Sequence, residues 1–113
     1  MNEKNVENLV EKLGIEDSLI LLIIISFLKE KNPSNLPIPK IAERYIKHYG
    51  FINKEFDLNV FADQVQFIGE MGFFSRKYEG GKALTEIIDY SLVQLEEDLL
   101  ARLRILGLEI DPP

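Results

Sequence analysis

The sequence predicts an α+β fold that is mainly α-helical. Apolar residues recur at three- and four-residue intervals through most of the chain, which is typical of amphipathic helices. One such helix, predicted from Leu58 to Met71, runs into Gly72, and a Gly80-Gly81 pair then separates two extended stretches that form a β-hairpin. A helix followed directly by a hairpin is the second half of a winged helix-turn-helix. We therefore predict a winged helix-turn-helix with extra N- and C-terminal helices.

Length and composition set the outer limits of this prediction. The 113 residues suit a single winged-helix domain, which we divide into an N-terminal helix in 1–14, a winged-helix core in 15–90 and a C-terminal helix and tail in 91–113. The absence of cysteine excludes disulfides, thiolate metal sites and a cysteine nucleophile. A net charge of −6 repels polyanions at long range, so any contact with nucleic acid has to be local.

The N-terminal part of the chain predicts two helices. The first, from Glu3 to Leu13, carries an apolar stripe made of Val6, Leu9, Val10 and Leu13. The second, from Ile15 to Lys31, contains the apolar run from Leu19 to Leu28, which at about ten residues is too short for the roughly 20 that a membrane helix needs. The acidic segment ahead of it is also unlike a signal peptide. We therefore predict a buried helix, no membrane contact and a cytoplasmic protein.

The next helix is predicted from Pro39 to Tyr49, after a short edge strand at Leu36 to Ile38. Its inward side chains, taken with Ile38, are Ile41, Ala42, Tyr45, Ile46 and Tyr49. Its outward line is Lys40, Glu43, Arg44 and Lys47. Gly50 ends the helix, and a linker over residues 51–56, which contains Lys54, leads to the next one.

The Leu58 to Met71 helix is predicted to be capped by Asp57 or Asn59, because their side-chain oxygens accept hydrogen bonds from the free amides of a first turn. Its inward residues are Val60, Phe61, Val65, Phe67, Ile68 and Met71. Its outward residues are Asn59, Ala62, Asp63, Gln66, Gly69 and Glu70, and none of them is a lysine or arginine. The hairpin strands are predicted at Phe73 to Tyr78 and Ala83 to Ile88.

The final helix follows Ser91 and Gln94, which have capping-box spacing. One stripe of this helix carries Leu92, Leu95, Leu99, Leu103 and Leu106. So wide an apolar face needs more than one surface to cover it, and the N-terminal helix and a second copy of the chain are the two candidates. We predict a homodimer with these leucines at its interface.

Three segments carry a resemblance to a known family: LLIIISFL, IAERYIKHYG and VQFIGEMGFFSRKYEGGKALTEI. Together they resemble the C-terminal winged-helix domain of archaeal origin-recognition replication initiators, and they are equally similar to small archaeal or viral winged-helix regulators. The resemblance implies DNA binding. It does not extend to nucleotide hydrolysis, because the chain has no Gly-x-x-x-x-Gly-Lys-Ser/Thr phosphate loop. The wing, from Glu79 to Lys82, has one cation where that family tends to have arginines.

The function predicted from these features is double-stranded DNA binding in transcription or replication control. The predicted DNA-binding residues are Lys40, Arg44, Lys47, Lys54, Asn59, Gln66, Arg76, Lys77 and Lys82. Lys40, Arg44 and Lys47 would contact phosphates from the helix that crosses the backbone. Arg76, Lys77 and Lys82 would form a wing against the adjacent groove. Asn59 and Gln66 would pair with adenine. Asp63 and Glu70 count against this function, since carboxylates near phosphates weaken binding. The alternative is a winged-helix module for protein–protein interaction or dimerisation that does not bind DNA.

Catalytic and metal-binding patterns are missing from the sequence. His48 is the single histidine, and no cysteine accompanies it, so we predict no metal site and no cofactor. Ser75, Thr85 and Ser91 have no base placed by the sequence to activate them as nucleophiles. We therefore predict that the chain is not an enzyme.

Overall fold

A computed structural model describes residues 9–52 and 55–113. The elements in chain order are α1 (Ile15–Glu30), β1 (Ser34–Asn35), α2 (Ile38–Tyr49), α3 (Leu58–Glu70), β2 (Phe74–Glu79), β3 (Lys82–Ile87) and α4 (Leu92–Ile105). Residues 9–11 are helical as well, whereas Val6 of the predicted N-terminal stripe and Lys54 of the linker lie outside the described residues. The fold is α+β and mainly α, as predicted.

The three strands form one antiparallel sheet in the order β1-β3-β2. The pairing of β2 with β3 runs from Phe74 opposite Ile87 to Glu79 opposite Lys82. Gly80 and Gly81 have φ angles of 55° and 76°, which is the left-handed backbone that a two-residue hairpin turn requires. The predicted hairpin is therefore confirmed, and the order of helices and strands is compatible with a winged-helix layout.

The first strand differs from its prediction. It was expected at Leu36 to Ile38, but the strand is Ser34–Asn35, which pairs with β3. The Asn35 Oδ1 atom accepts a hydrogen bond from the Ala83 amide, and the next amide, that of Leu36, donates to the Ala83 carbonyl at 2.8 Å. Pro37 has no amide to donate, so pairing ends there and α2 begins at the following residue.

Helix α1 is buried on all sides from Ser18 to Leu28, as predicted for its apolar run. No helix in the described part of the chain is long and apolar enough to cross a membrane. Helix α4 packs against α1, and the Lys29 Nζ atom lies 2.5 Å from the Glu96 Oε2 atom across this contact. The Arg102 Nε group also donates to the Leu13 carbonyl at 3.0 Å, which ties the first described segment to the last helix.

Three of the five leucines predicted at a dimer interface are covered within the single chain, whereas the homodimer itself stays a prediction. Leu95, Leu99 and Leu103 have no exposed surface in the single chain, because α1 and the rest of the core cover them. Leu92 is partly buried against the same core, and Leu106 is half-buried. Leu95, Leu99 and Leu103 are therefore covered by other parts of the same chain and do not need a second copy to bury them.

Three apolar residues that were predicted to point inward are exposed. They are Ile46, at 47% exposure, and Val60 and Phe67, each at 56%. Helix α3 buries only Phe61, Val65 and Ile68, which form a stripe one residue wide. Consecutive helical residues are turned by about 100° from one another, so Val60 falls beside this stripe and outside the core.

Gly69, predicted to face outward, lies against the ring of Phe74. A Cβ atom at Gly69 would be 2.9 Å from the Phe74 Cε1 atom, and Phe74 is only 3% exposed, so its ring has little room to move. We predict that Gly69→Ala lowers the free energy of unfolding by about 1 kcal/mol, because overpacking of about 2 kcal/mol exceeds the helix-propensity gain of about 1 kcal/mol.

A double-mutant cycle checks this prediction by urea unfolding. In a Phe74→Leu background the clash is removed, so Gly69→Ala should then be neutral or stabilising. If Gly69→Ala stabilised both the unmodified protein and the Phe74→Leu variant, the close approach of Gly69 to Phe74 would not contribute to the free energy of unfolding.

Candidate nucleic-acid interface

The exposed face of α3 carries amides and carboxylates. Asp57 caps this helix, since its Oδ1 atom accepts from the amides of Asn59 at 2.8 Å and Val60 at 3.1 Å. The side chains of Asn59, Asp63, Gln66 and Glu70 are exposed on the side away from the core. The amide groups can hydrogen-bond to base edges, whereas the carboxylates repel phosphates. This face therefore suits base contacts better than backbone contacts.

A cleft of about 480 Å³ separates α3 from the hairpin. Its lining residues are Ile38, Ala62, Val65, Gln66, Arg76 and Tyr78. The Arg76 Nη1 group donates to the Thr85 Oγ1 atom at 3.0 Å, and its guanidinium carbon lies 5.8 Å from the centre of the Tyr78 ring. Tyr78 is 76% exposed. The cleft thus presents an oriented guanidinium, an amide and an exposed aromatic ring side by side, and we call it the Arg76 cleft.

A second groove, of about 280 Å³, lies at the β1 side of the sheet. Its lining residues are Phe27, Glu30, Lys31, Pro33, Ser34, Asn35, Lys40, Lys82 and Leu84. The three lysines among them come from three parts of the chain, and we call this site the lysine groove. Lys31 was not predicted, because in the sequence it only flanks an apolar helix. It reaches Lys40 and Lys82 because the β1–β3 pairing brings the end of α1 to the hairpin.

Arg44 is engaged by α1 rather than standing free on α2. Its Nη1 group lies 3.1 Å from the Ser26 Oγ atom and 3.1 Å from the Glu30 Oε2 atom. Its guanidinium carbon is 3.5 Å from the centre of the Phe27 ring, which is a close cation–π contact. Arg44, which was predicted to face outward from α2, therefore packs against α1. Its charge compensates the Glu30 carboxylate, which lines the lysine groove.

The hairpin separates its cations onto two sides. Arg76 and the buried Thr85 are cross-strand partners, and Arg76 lines the Arg76 cleft. Lys77 is the cross-strand partner of Leu84, and partners in such a pair point to the same side, so Lys77 lies on the side of the lysine groove. Of the other predicted contacts, Lys47 is exposed on α2 and lines neither site.

Among the residues that the structure describes, the titratable groups with a shifted pKa line neither site. Burial, with a smaller contribution from Glu16, raises the pKa of Asp17 above its ordinary value. Burial, followed by the negative charge of Glu96 and then by Tyr45, raises the pKa of Tyr49 to about 12. The Tyr49 hydroxyl is buried and has no hydrogen-bond partner in the described part of the chain. His48 is half-buried, and its ring centre lies 6.2 Å from that of Tyr49.

Comparison of the chain with protein-family models gives no match, and comparison with curated protein sequences gives none either. Among the described residues, no three acidic, histidine or cysteine side chains are grouped so that they could hold a metal ion. The Arg76 cleft and the lysine groove both bring together polar side chains from separate elements of the described residues.

Proposed function

We propose that this chain is a winged-helix protein that binds duplex DNA and acts in transcription or replication control. The order α1-β1-α2-α3-β2-β3 and the sheet order β1-β3-β2 support the winged-helix assignment. The observation that carries the function is the Arg76 cleft, because it joins Gln66 of α3 and Arg76 of the hairpin in one surface. A helix and an adjoining wing that face DNA together can read a base edge and hold the backbone at the same time.

In this proposal each class of side chain has a separate role. Asn59 and Gln66 read adenine from the exposed face of α3, because a carboxamide pairs with adenine through two hydrogen bonds. Lysines on α2 and the hairpin contact phosphates, because their ammonium groups are exposed. The carboxylates of α3 oppose the approach of phosphates, so affinity is modest and falls steeply with salt.

Titration of labelled duplex DNA, followed by fluorescence anisotropy at several salt concentrations, tests the proposal. We predict that the triple variant Arg76→Ala, Lys77→Ala, Lys82→Ala binds more weakly to random and genomic duplexes alike. Each lost phosphate contact should reduce the slope of log affinity against log salt by about 0.9. The proposal is wrong if the unmodified protein binds no duplex even at low salt.

A matched variant separates reading of bases from attraction to the backbone. Gln66→Ala removes an uncharged side chain, so the salt slope should stay as it is in the unmodified protein. Discrimination between preferred and random sequences should instead fall by about 1 to 3 kcal/mol, which is the usual value of one bidentate base contact. Loss of affinity without any change in discrimination would remove the base-reading role from Gln66.

A specific observation also favours a second function, docking of a protein partner. Val60 and Phe67 are each 56% exposed on α3, and the neighbouring Asp63 is exposed too. An apolar and acidic helix face of this kind suits a partner with apolar and basic side chains. The double variant Val60→Ser, Phe67→Ser should abolish retention of such a partner and leave DNA affinity unchanged. A monomeric mass in solution, with no partner recovered by affinity purification, counts against this function.

A further inference from the structure

We infer that the backbone of bound duplex DNA is held in the lysine groove and not along the exposed face of α3. The inference rests on the proposed function and names the part of the surface that meets the phosphates. Lys31, Lys40 and Lys82 are all exposed, and they surround one groove although they come from different parts of the chain. Lys31 directly follows α1, Lys40 belongs to α2 and Lys82 belongs to β3. Lysine binds phosphate as a point charge, so three lysines around one groove suit a phosphodiester backbone.

The charge of the lysine groove supports this role. Glu30 is the one acidic residue among the described residues that line it, and an Arg44 Nη1 group lies 3.1 Å from the Glu30 carboxylate. Arg44 is itself fixed by Ser26 and by the ring of Phe27. The carboxylate is therefore compensated within the protein. The Lys40 Nζ group lies 3.5 Å from the Asn35 carbonyl oxygen and 5.5 Å from the centre of the Phe27 ring, and neither contact neutralises its charge. All three ammonium groups therefore attract an anion. The exposed face of α3 has the opposite character, since it carries Asp63 and Glu70 and no cation.

The hairpin adds one cation beside the lysine groove and also places a carboxylate near it. Lys77, which points to the same side as Leu84, adds a fourth cation next to the groove. At the tip of the wing, Glu79 is the cross-strand partner of Lys82 and therefore lies beside it. A carboxylate at this position weakens the attraction of a phosphate to Lys82, so Lys31 and Lys40 should contribute more to binding.

Duplex DNA is the occupant that fits the surroundings of the groove. Arg76 and Gln66 lie on one side of the hairpin, and the lysine groove lies on the other. A duplex that receives the wing can meet both sides at once, because its two backbones flank the groove into which a wing inserts. On this basis the lysine groove contacts the backbone on one side of the inserted wing, and the Arg76 cleft contacts the DNA on the other side.

The test compares charge-removing and charge-retaining variants in the anisotropy titration. The variant Lys31→Ala, Lys40→Ala, Lys82→Ala should reduce the salt slope by about 2.7 and weaken binding on the order of a hundredfold at about 0.1 M salt. The variant Lys31→Arg, Lys40→Arg, Lys82→Arg keeps the charges and should bind like the unmodified protein. Arg104→Ala removes an exposed cation of α4 outside the groove and should leave the slope unchanged.

Glu79→Gln provides a test in the opposite direction. It removes the carboxylate beside Lys82 without adding a cation, so it should strengthen DNA binding a few-fold and most clearly at low salt. Since Glu79 is exposed at the wing tip, the fold should not be disturbed. An unchanged affinity would contradict the placement of phosphates near the tip.

The outcomes distinguish this inference from the proposed function. If the unmodified protein binds no duplex, the proposed function fails, and the inference fails with it. If the protein binds duplex and the triple alanine variant keeps both slope and affinity, the inference alone is overturned, and the phosphates lie elsewhere. If the triple alanine variant loses binding to duplex RNA but not to duplex DNA, the groove holds a different nucleic acid, and the inference is again overturned.

Discussion

Leu99→Ala is expected to lower the free energy of unfolding by about 3 kcal/mol. Leu99 has no exposed surface and lies in the middle of the α4 stripe that packs against α1. Truncation of a buried leucine removes its transfer free energy and leaves a cavity that the surrounding helices fill only in part, which together cost about 2 to 5 kcal/mol. Urea unfolding monitored by circular dichroism measures the change.

Val93→Ala on the same helix is the matched control. Val93 is 63% exposed, so its truncation should change stability by less than about 0.5 kcal/mol. The experiment also separates packing within the chain from packing between chains. If Leu99 stabilised a dimer, the measured stability would depend on protein concentration, whereas a core contact gives a concentration-independent value. A loss below about 1 kcal/mol from Leu99→Ala would contradict the burial of this stripe.

Alkaline pH is expected to destabilise the protein through Tyr49. The pKa of Tyr49 is raised to about 12 by burial first, then by Glu96 and by Tyr45. An unfolded tyrosine ionises near pH 10, so between about pH 10 and 12 the unfolded state has lost its proton and the folded state retains it. Stability therefore falls with rising pH in this window. A pKa difference of about two between the folded and unfolded states lowers the free energy of unfolding by about 2.7 kcal/mol once the pH exceeds both values.

Tyr49→Phe should remove this contribution to the alkaline loss. The Tyr49 hydroxyl is buried without a hydrogen-bond partner in the described part of the chain, so its removal should be neutral or stabilising by about 1 kcal/mol below pH 9. Urea unfolding of both proteins at a series of pH values from neutral to alkaline gives the comparison. Equal pH dependence of the two proteins would rule out Tyr49 as the source, and Tyr78→Phe, at an exposed site, serves as the control.

The features that could be predicted from the sequence are those that depend on neighbouring residues. The Gly80-Gly81 turn follows from the backbone freedom of glycine, and both residues have positive φ as expected. The predicted helix caps follow in the same way: Asp57 accepts from the first amides of α3, and Ser91 accepts from the Gln94 amide at the start of α4. These contacts span two or three residues, and a sequence pattern contains all the information they need.

The features that could not be predicted depend on contacts between distant segments. Helix α1 is apolar all round, so its sequence gives no indication of which neighbour covers which side. For the same reason the sequence leaves both the N-terminal helix and a second chain as candidate covers for α4, although α1 covers its central leucines. The lysine groove requires β1 to pair with β3, which unites Lys31 with Lys82. The contact between Arg44 and Glu30 likewise depends on how α2 lies against α1.

The hydrogen bond from Arg102 to the Leu13 carbonyl has a consequence for how the molecule opens. It joins residues 89 positions apart, so the first described segment cannot leave the surface without breaking a contact to α4. Opening of residues 9–13 then exposes part of α4, and these two segments behave as one cooperative unit. Amide hydrogen exchange around Leu13 and Arg102 should accordingly slow down or speed up together. The exposed tip of the wing at Gly80 and Gly81 takes no part in this contact and should exchange independently.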